Sequence, residues 1–143
     1  MKIKNVAFLG FADAKEADQE YLDAKETASL LAKNGYIIID GGGPGIMKAA
    51  TDGAHNGGGK AIGITYYPEP EEKNFEGRDP KNLFDEEIKT TTYVERTLKI
   101  MDMADVYLIF NGGTGTISEF GMAWWLARIH FGHHRPLVLF GDF

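Results

Sequence analysis

The 143-residue chain predicts an α/β fold, a doubly wound parallel sheet in a single domain over residues 1–143. Three observations carry that expectation. Apolar runs such as Tyr36-Ile37-Ile38-Ile39 and Val106-Tyr107-Leu108-Ile109-Phe110 are continuous rather than alternating, as in strands covered on both faces. Segments of helical periodicity separate the runs, which implies parallel strands joined by right-handed crossovers. Two of the runs pass directly into glycine turns and then into helix starts, at Asp40 to Gly45 and at Asn111 to Gly115.

Ile3 to Gly10 reads as the first buried strand. Asp13 and Glu16 have capping-box spacing and predict the start of a helix, with Ala17, Tyr21, Ala24, Ala28 and Leu31 on its buried face. Asn34-Gly35 stops it. The second strand, Tyr36 to Ile39, meets the glycine turn, and a helix follows through Met47, Ala50 and Ala54 to Asn56-Gly57-Gly58-Gly59. Lys60 to Thr65 is the third strand. Tyr66 to Leu83, with Pro68, Pro70 and Pro80, reads as a long surface loop, either a plain connection or a flap over a pocket. Glu87 to Thr91 is a short strand. Thr92 and Glu95 form a second capping-box pattern, opening a helix through Val94, Leu98, Met101 and Ala104. Val106 to Phe110 is the next strand, its helix runs to Phe131, and Pro136 introduces a last strand, Leu137 to Phe140.

Composition removes several function classes. A formal net charge of −6 argues against nucleic-acid binding through a basic face. The chain has no cysteine, which excludes disulfides, thiol nucleophiles and cysteine metal sites and fits a cytoplasmic location. No apolar run approaches the roughly 20 residues that span a bilayer, and the basic Met1-Lys2-Ile3-Lys4 start lacks a cleavage signature.

In such a sheet ligands bind beyond the C-terminal strand ends, where both glycine turns and the start of the Thr92 helix fall. A strand, a glycine turn and a helix N-terminus suit an anion, because the backbone approaches closely and the helix dipole favours negative charge. Neither turn matches the dinucleotide fingerprint or the P-loop: Gly43-Pro44-Gly45 precedes Ile46-Met47, and Gly113-Thr114-Gly115 precedes Thr116-Ile117. Two such turns at one sheet edge point to a nucleotide-sized ligand. Glu119 has two readings. Thr116-Ile117-Ser118-Glu119 is itself a capping-box pattern, and spacing alone favours that structural role. Arg96 reads equally as a surface helix cation. His130, His133 and His134 suit a helix C-terminus better than a metal, with no acid near them in sequence. Trp124, Trp125, Met122 and Phe131 belong to a core or a subunit interface, and so large an apolar load on one helix implies oligomerisation.

Taken together, Gly41-Gly42-Gly43-Pro44-Gly45, then Glu95-Arg96-Thr97, then Asn111-Gly112-Gly113-Thr114-Gly115-Thr116-Ile117-Ser118-Glu119 resemble the LOG (Lonely Guy) family, often labelled lysine decarboxylase-like. The resemblance covers nearly the whole chain and implies a Rossmann-like fold. It implies a phosphoribohydrolase that cleaves the N-glycosidic bond of nucleoside 5′-monophosphates, such as AMP or cytokinin riboside monophosphates, to free base and ribose 5-phosphate. On the matching positions Arg96 and Glu119 would be the catalytic pair. Gly112, Gly113, Thr114, Gly115 and Thr116, with Gly42 and Gly43, would bind the substrate and its phosphate. No cofactor or metal is implied, and the protein would be a cytoplasmic homodimer or larger homo-oligomer. The chain departs from the family pattern at Asn111 in place of proline, at Thr97 in place of lysine, and at Ser118 where many members carry a second glutamate. The Tyr66–Leu83 segment looks longer than usual. Members usually continue past the position of Phe143 with another strand and helix, so the chain reads as a short or truncated form. A non-catalytic carrier of a nucleotide or of molybdenum cofactor is the rival reading. A structural subunit whose glycine turns only make tight connections is the bland one.

Overall fold

The computed structural model describes residues 2–69 and 77–142. Six strands, β1 (Asn5–Leu9), β2 (Ile37–Asp40), β3 (Ala61–Tyr66), β4 (Glu86–Thr90), β5 (Val106–Phe110) and β6 (Leu137–Phe140), form one sheet in the order β4-β3-β2-β1-β5-β6. Every pairing is parallel. Four helices connect them: α1 (Gln19–Lys33), α2 (Ile46–Asn56), α3 (Tyr93–Met103) and α4 (Thr114–Ile129). The doubly wound parallel sheet expected from the alternation of elements is therefore the observed architecture.

The two faces of the sheet bury separate cores. Phe8, Ile38, Val106, Leu108 and Phe110 pack with the alanine-rich faces of α1 and α2. Ile39, Ile62, Ile64, Tyr107 and Ile109 pack with Ile100, Met101 and Ala123 of α3 and α4. Strands sandwiched in this way need apolar side chains on both faces, which is why β1, β3 and β5 show almost no alternation. Small residues let α1 and α2 approach: a side chain at Gly53 would overlap the Lys25 carbonyl, and one at Gly57 the Ser29 carbonyl.

Chain order places the crevice. From β1 the chain steps outward through β2 and β3 to β4, and then returns to the other side of β1 as β5. The loops leaving β1 and β5 therefore part from each other at the C-terminal edge, the position at which this class of sheet binds ligands.

Local details differ from the spacing arguments. The Asp13–Glu16 pair does not cap a helix. α1 starts six residues after Asp13, its N-cap is Asp18, and the Asp18 carboxylate accepts a bond from the Lys15 amide at 2.8 Å. Ala17 is exposed, while Ala14 and Ala32 are buried. The stretch after β1 is held instead by tertiary contacts, because the Phe11 carbonyl accepts from Ile46 at 3.1 Å and from Ala14 at 3.4 Å. The region read as a surface loop is only partly one. Residues 70–76 lie outside the described residues, but 77–84 folds back onto the sheet, and Asn82 is completely buried. α4 ends at Ile129, two residues short of Phe131. Trp124, Trp125 and Phe131 are exposed rather than core, and Met122 packs partly against the second core.

Candidate active site

A cavity of about 450 Å³ opens at the crevice between the β1 and β5 loops. Four segments line it: the β1 loop from Gly10 to Asp13, the turn after β2 through Gly41, Pro44 and Met47, Tyr93 and Arg96 at the start of α3, and the first turns of α4. The β1 and β5 loops are tied by the Phe11 amide, which donates to the Asn111 carbonyl at 3.2 Å.

Arg96 arrives on a helix whose start is well defined. The Thr92 hydroxyl accepts from the Glu95 amide at 3.0 Å, and Glu95 accepts from both the amide and hydroxyl of Thr91, at 2.7 and 2.6 Å. Those donors hold the Glu95 carboxyl below its ordinary range. The capping box expected at Thr92 and Glu95 thus forms, with Thr91 as an added donor. Arg96 shares the buried face of α3 with Thr97, Ile100 and Met101. At 2% exposure it is the largest fully buried side chain of the described residues. Its guanidinium stacks over Tyr93, 4.2 Å from the ring centroid, and donates to the Gly41 carbonyl at 3.2 Å.

Glu119 does not act as a capping-box residue in α4. The N-cap is Gly113, no side chain caps that end, and Thr116 is already the third residue of the helix. Thr116, Glu119 and Ala123 form the buried face of α4. That face turns the carboxylate inward to line the same cavity as Arg96, at 7% exposure. The amides of Thr114, Gly115 and Thr116 fall in the first turn, where helical geometry provides no intrahelical acceptor; the first bond of this kind runs from the Ile117 amide to Gly113. Gly112 is a glycine because a side chain there would overlap Thr116 Oγ1 and press on the Phe11 amide.

The structure therefore brings Arg96, Glu119, Gly113, Thr114, Gly115 and Thr116 to one cavity, with Gly112 directly behind the lining. It does not bring Gly42 and Gly43 to that wall. Both are buried and turned inward: the Gly42 carbonyl accepts from the Asp79 amide at 2.9 Å, and the Gly43 carbonyl from Asn82 Nδ2 at 2.9 Å. Gly45 takes φ +64°, and a side chain there would overlap the Phe11 carbonyl, so this turn is glycine for packing.

Two groups of residues escaped the sequence reading. The β1 loop, Gly10 to Asp13, supplies a quarter of the lining but carries no motif. Asp40 is fully buried beneath the site. It accepts from the Gly42 amide at 2.7 Å, Thr51 Oγ1 at 2.8 Å and Asn82 Nδ2 at 3.3 Å. Burial pushes its carboxyl up to about 6, against the pull of those donors and of the nearby Arg96 charge.

The histidines lie elsewhere. His130, His133 and His134 line a second cavity at the far end of α4, with Asp102, Tyr107 and Arg135. An acid does stand near them in space, although none does in sequence. Among the described residues, no group of three or more histidines and acids is placed to hold a metal ion.

A parallel sheet with its crevice at the reversal of chain order, floored by a glycine-rich helix start and a buried Arg and Glu, defines a Rossmann-like α/β domain with a polar ligand pocket. Within that class the chain belongs to the SLOG cluster4 family, whose model matches residues 3–131. It is 32% identical over 124 residues to an uncharacterized protein of Archaeoglobus fulgidus, covering 86% of this chain and 75% of that one. It is 27% identical over 133 residues to a probable cytokinin riboside 5′-monophosphate phosphoribohydrolase of Oryza sativa subsp. japonica, covering 79% of this chain and 49% of the rice protein. The chain thus spans about half the length of that relative. Among solved structures, the molybdenum cofactor binding protein of Rippkaea orientalis superposes with a TM-score of 0.70 at 25% identity, over 100% of this chain and 79% of that one.

Proposed function

We propose that the protein is a hydrolase of nucleoside 5′-monophosphates, cleaving the N-glycosidic bond to release free base and ribose 5-phosphate. One observation carries this reading: a buried arginine and a buried carboxylate from different helices line a single cavity beside a glycine-rich helix N-terminus. The likeness to the rice phosphoribohydrolase supports it.

The geometry supports one division of labour. The first turn of α4 would anchor the 5′-phosphate on its amides and dipole. That remote anchor would set the ribose against Glu119, so that binding energy positions the scissile bond. Departure of the base develops positive charge on the ribose. The Glu119 carboxylate would stabilise that charge, or orient the attacking water. Arg96, held by the Gly41 carbonyl and the Tyr93 ring, would present its guanidinium to the substrate's anionic groups or to Glu119. In this reading the protein is cytoplasmic and associates as a homodimer or larger, which the exposed Val94 and Leu98 on α3 and Ile117 and Trp124 on α4 support.

The superposition on a molybdenum cofactor binding protein favours a second reading, a carrier that holds a phosphorylated ligand without turnover. Incubation with AMP and the other common monophosphates, with chromatography of the free base and calorimetry of binding, separates the two. Base release above a protein-free blank is the expected result. Tight retention of an intact ligand with no release would replace the hydrolase by the carrier.

A further inference from the structure

We propose that Asp40 is a positioning residue for Arg96, and that the two side chains grip opposite ends of the single peptide joining Gly41 to Gly42. The Gly42 amide donates to Asp40 Oδ1 at 2.7 Å, and the Gly41 carbonyl accepts from Arg96 Nη1 at 3.2 Å. That N–H and that C=O belong to one planar unit, so its orientation is shared between a carboxylate beneath the cavity and a guanidinium that lines it.

This peptide needs such a grip. It has glycine on both sides, with Gly42 at φ +70°, so no side chain of its own opposes a rotation that would swing the carbonyl away from Arg96. Space above it is also restricted, since a side chain at Gly41 would press on Met47 Sδ and on the Arg96 guanidinium. Asp40 is itself held from two directions. Thr51 on α2 donates to Oδ2, and Asn82 donates to Oδ1 while also binding the Gly43 carbonyl. Asp40 is the last residue of β2, paired with Gly63 of β3, and it does not line the cavity. It therefore acts on substrate only through the peptide and Arg96.

A carboxylate at a fully buried position is an expensive way to accept hydrogen bonds. Its presence beneath a catalytic candidate is accounted for if a fixed oxygen acceptor for the Gly42 amide, held in place by Thr51 and Asn82, is what keeps the carbonyl aimed.

The kinetic part of the test rests on the hydrolase reading, and the spectroscopic part does not. Asp40→Ala removes the grip, while Asp40→Asn keeps an oxygen able to accept from Gly42. With AMP as substrate, D40A should lower kcat by on the order of tenfold to a hundredfold with KM nearly unchanged, as expected when a reacting group is misplaced rather than removed. D40N should restore most of that loss. In parallel, amide exchange measured by NMR should show Gly42 protected in the parent and in D40N, and fast in D40A. Should D40A fail to fold, the pair Asp40→Val with Thr51→Val removes the acceptor together with one of its donors and serves in its place. Unchanged kcat in a folded variant lacking the carboxyl oxygens, or equal losses in D40A and D40N, would overturn the proposal. Absence of turnover in the parent would sink the hydrolase reading alone. Exchange at Gly42 would then decide, and protection persisting in D40A would overturn the role of Asp40.

Discussion

Arg96 is 2% exposed and Glu119 7%, although both residue types ordinarily face water. Each had a bland reading from spacing, as a surface cation and as a helix cap. Periodicity held a further signal for both. Arg96 lies four residues before Ile100, and Glu119 four before Ala123, on stripes that point at the sheet. A charge on such a stripe, one turn into a helix that opens at the ligand edge, marks a pocket rather than a surface. Asp40 was illegible for a different reason. A carboxylate followed by three glycines reads as a turn residue, and the partners that reveal its role are 11 and 42 positions away. The unfolded carboxyl titrates near 3.8 and the folded one near 6, so between those values the native state holds a proton that the unfolded chain has released. The contribution of Asp40 to stability is therefore fully present below about 3.8 and is lost as pH rises through about 6. Denaturant titrations across that range should show the stability of the parent falling relative to D40N and then levelling off. A difference that does not vary with pH would contradict the raised value.

The helices show why similar capping patterns met different outcomes. Thr92 caps α3 through the bond its hydroxyl accepts from the Glu95 amide, whereas Asp13 sits in a stretch pulled across Gly45 by the Phe11 carbonyl. Tertiary contact overrode local spacing there, and at α4 the helix simply starts two residues earlier than Thr116. Because α3 places Arg96 in its second turn, its cap bears on the site. Thr92→Ala should cost about 1 kcal/mol, the usual loss for an N-cap hydroxyl, read as a lower urea midpoint with an unchanged m-value. No change in midpoint would mean that the α3 start is fixed by packing alone. The end of the Tyr66–Leu83 stretch carries no periodic apolar pattern, yet Asn82 and the Asp79 amide secure it to the Gly42–Gly43 backbone. Hydrogen bonds of this kind leave no hydrophobic pattern to read.

At the scale of the molecule, the alternation of elements was enough to expect a parallel sheet, but not the strand order that puts β1 between β2 and β5. That order explains why the unremarkable β1 loop shares the cavity with the glycine turn after β5. Trp124 and Trp125 are expected in a core or an interface, and their exposure, at 63% and 57%, removes the core. In the proposed homo-oligomer a second copy would cover the exposed Val94 and Leu98 of α3 and Ile117 and Trp124 of α4. Light scattering should give at least twice the 15.8 kDa chain mass, and Trp124→Glu should lower it. A monomeric mass for the parent would reject this assembly.

Catalysis by Glu119 together with Arg96 is tested by single-turnover release of base from AMP by the parent and by Glu119→Gln. Glutamine keeps the size and the hydrogen-bonding oxygen but removes the charge, so the variant should melt with the parent and release base slower by ~10²-fold or more. Equal rates from two equally folded proteins would contradict the account, because they would return Glu119 to the wall of a pocket whose chemistry lies elsewhere.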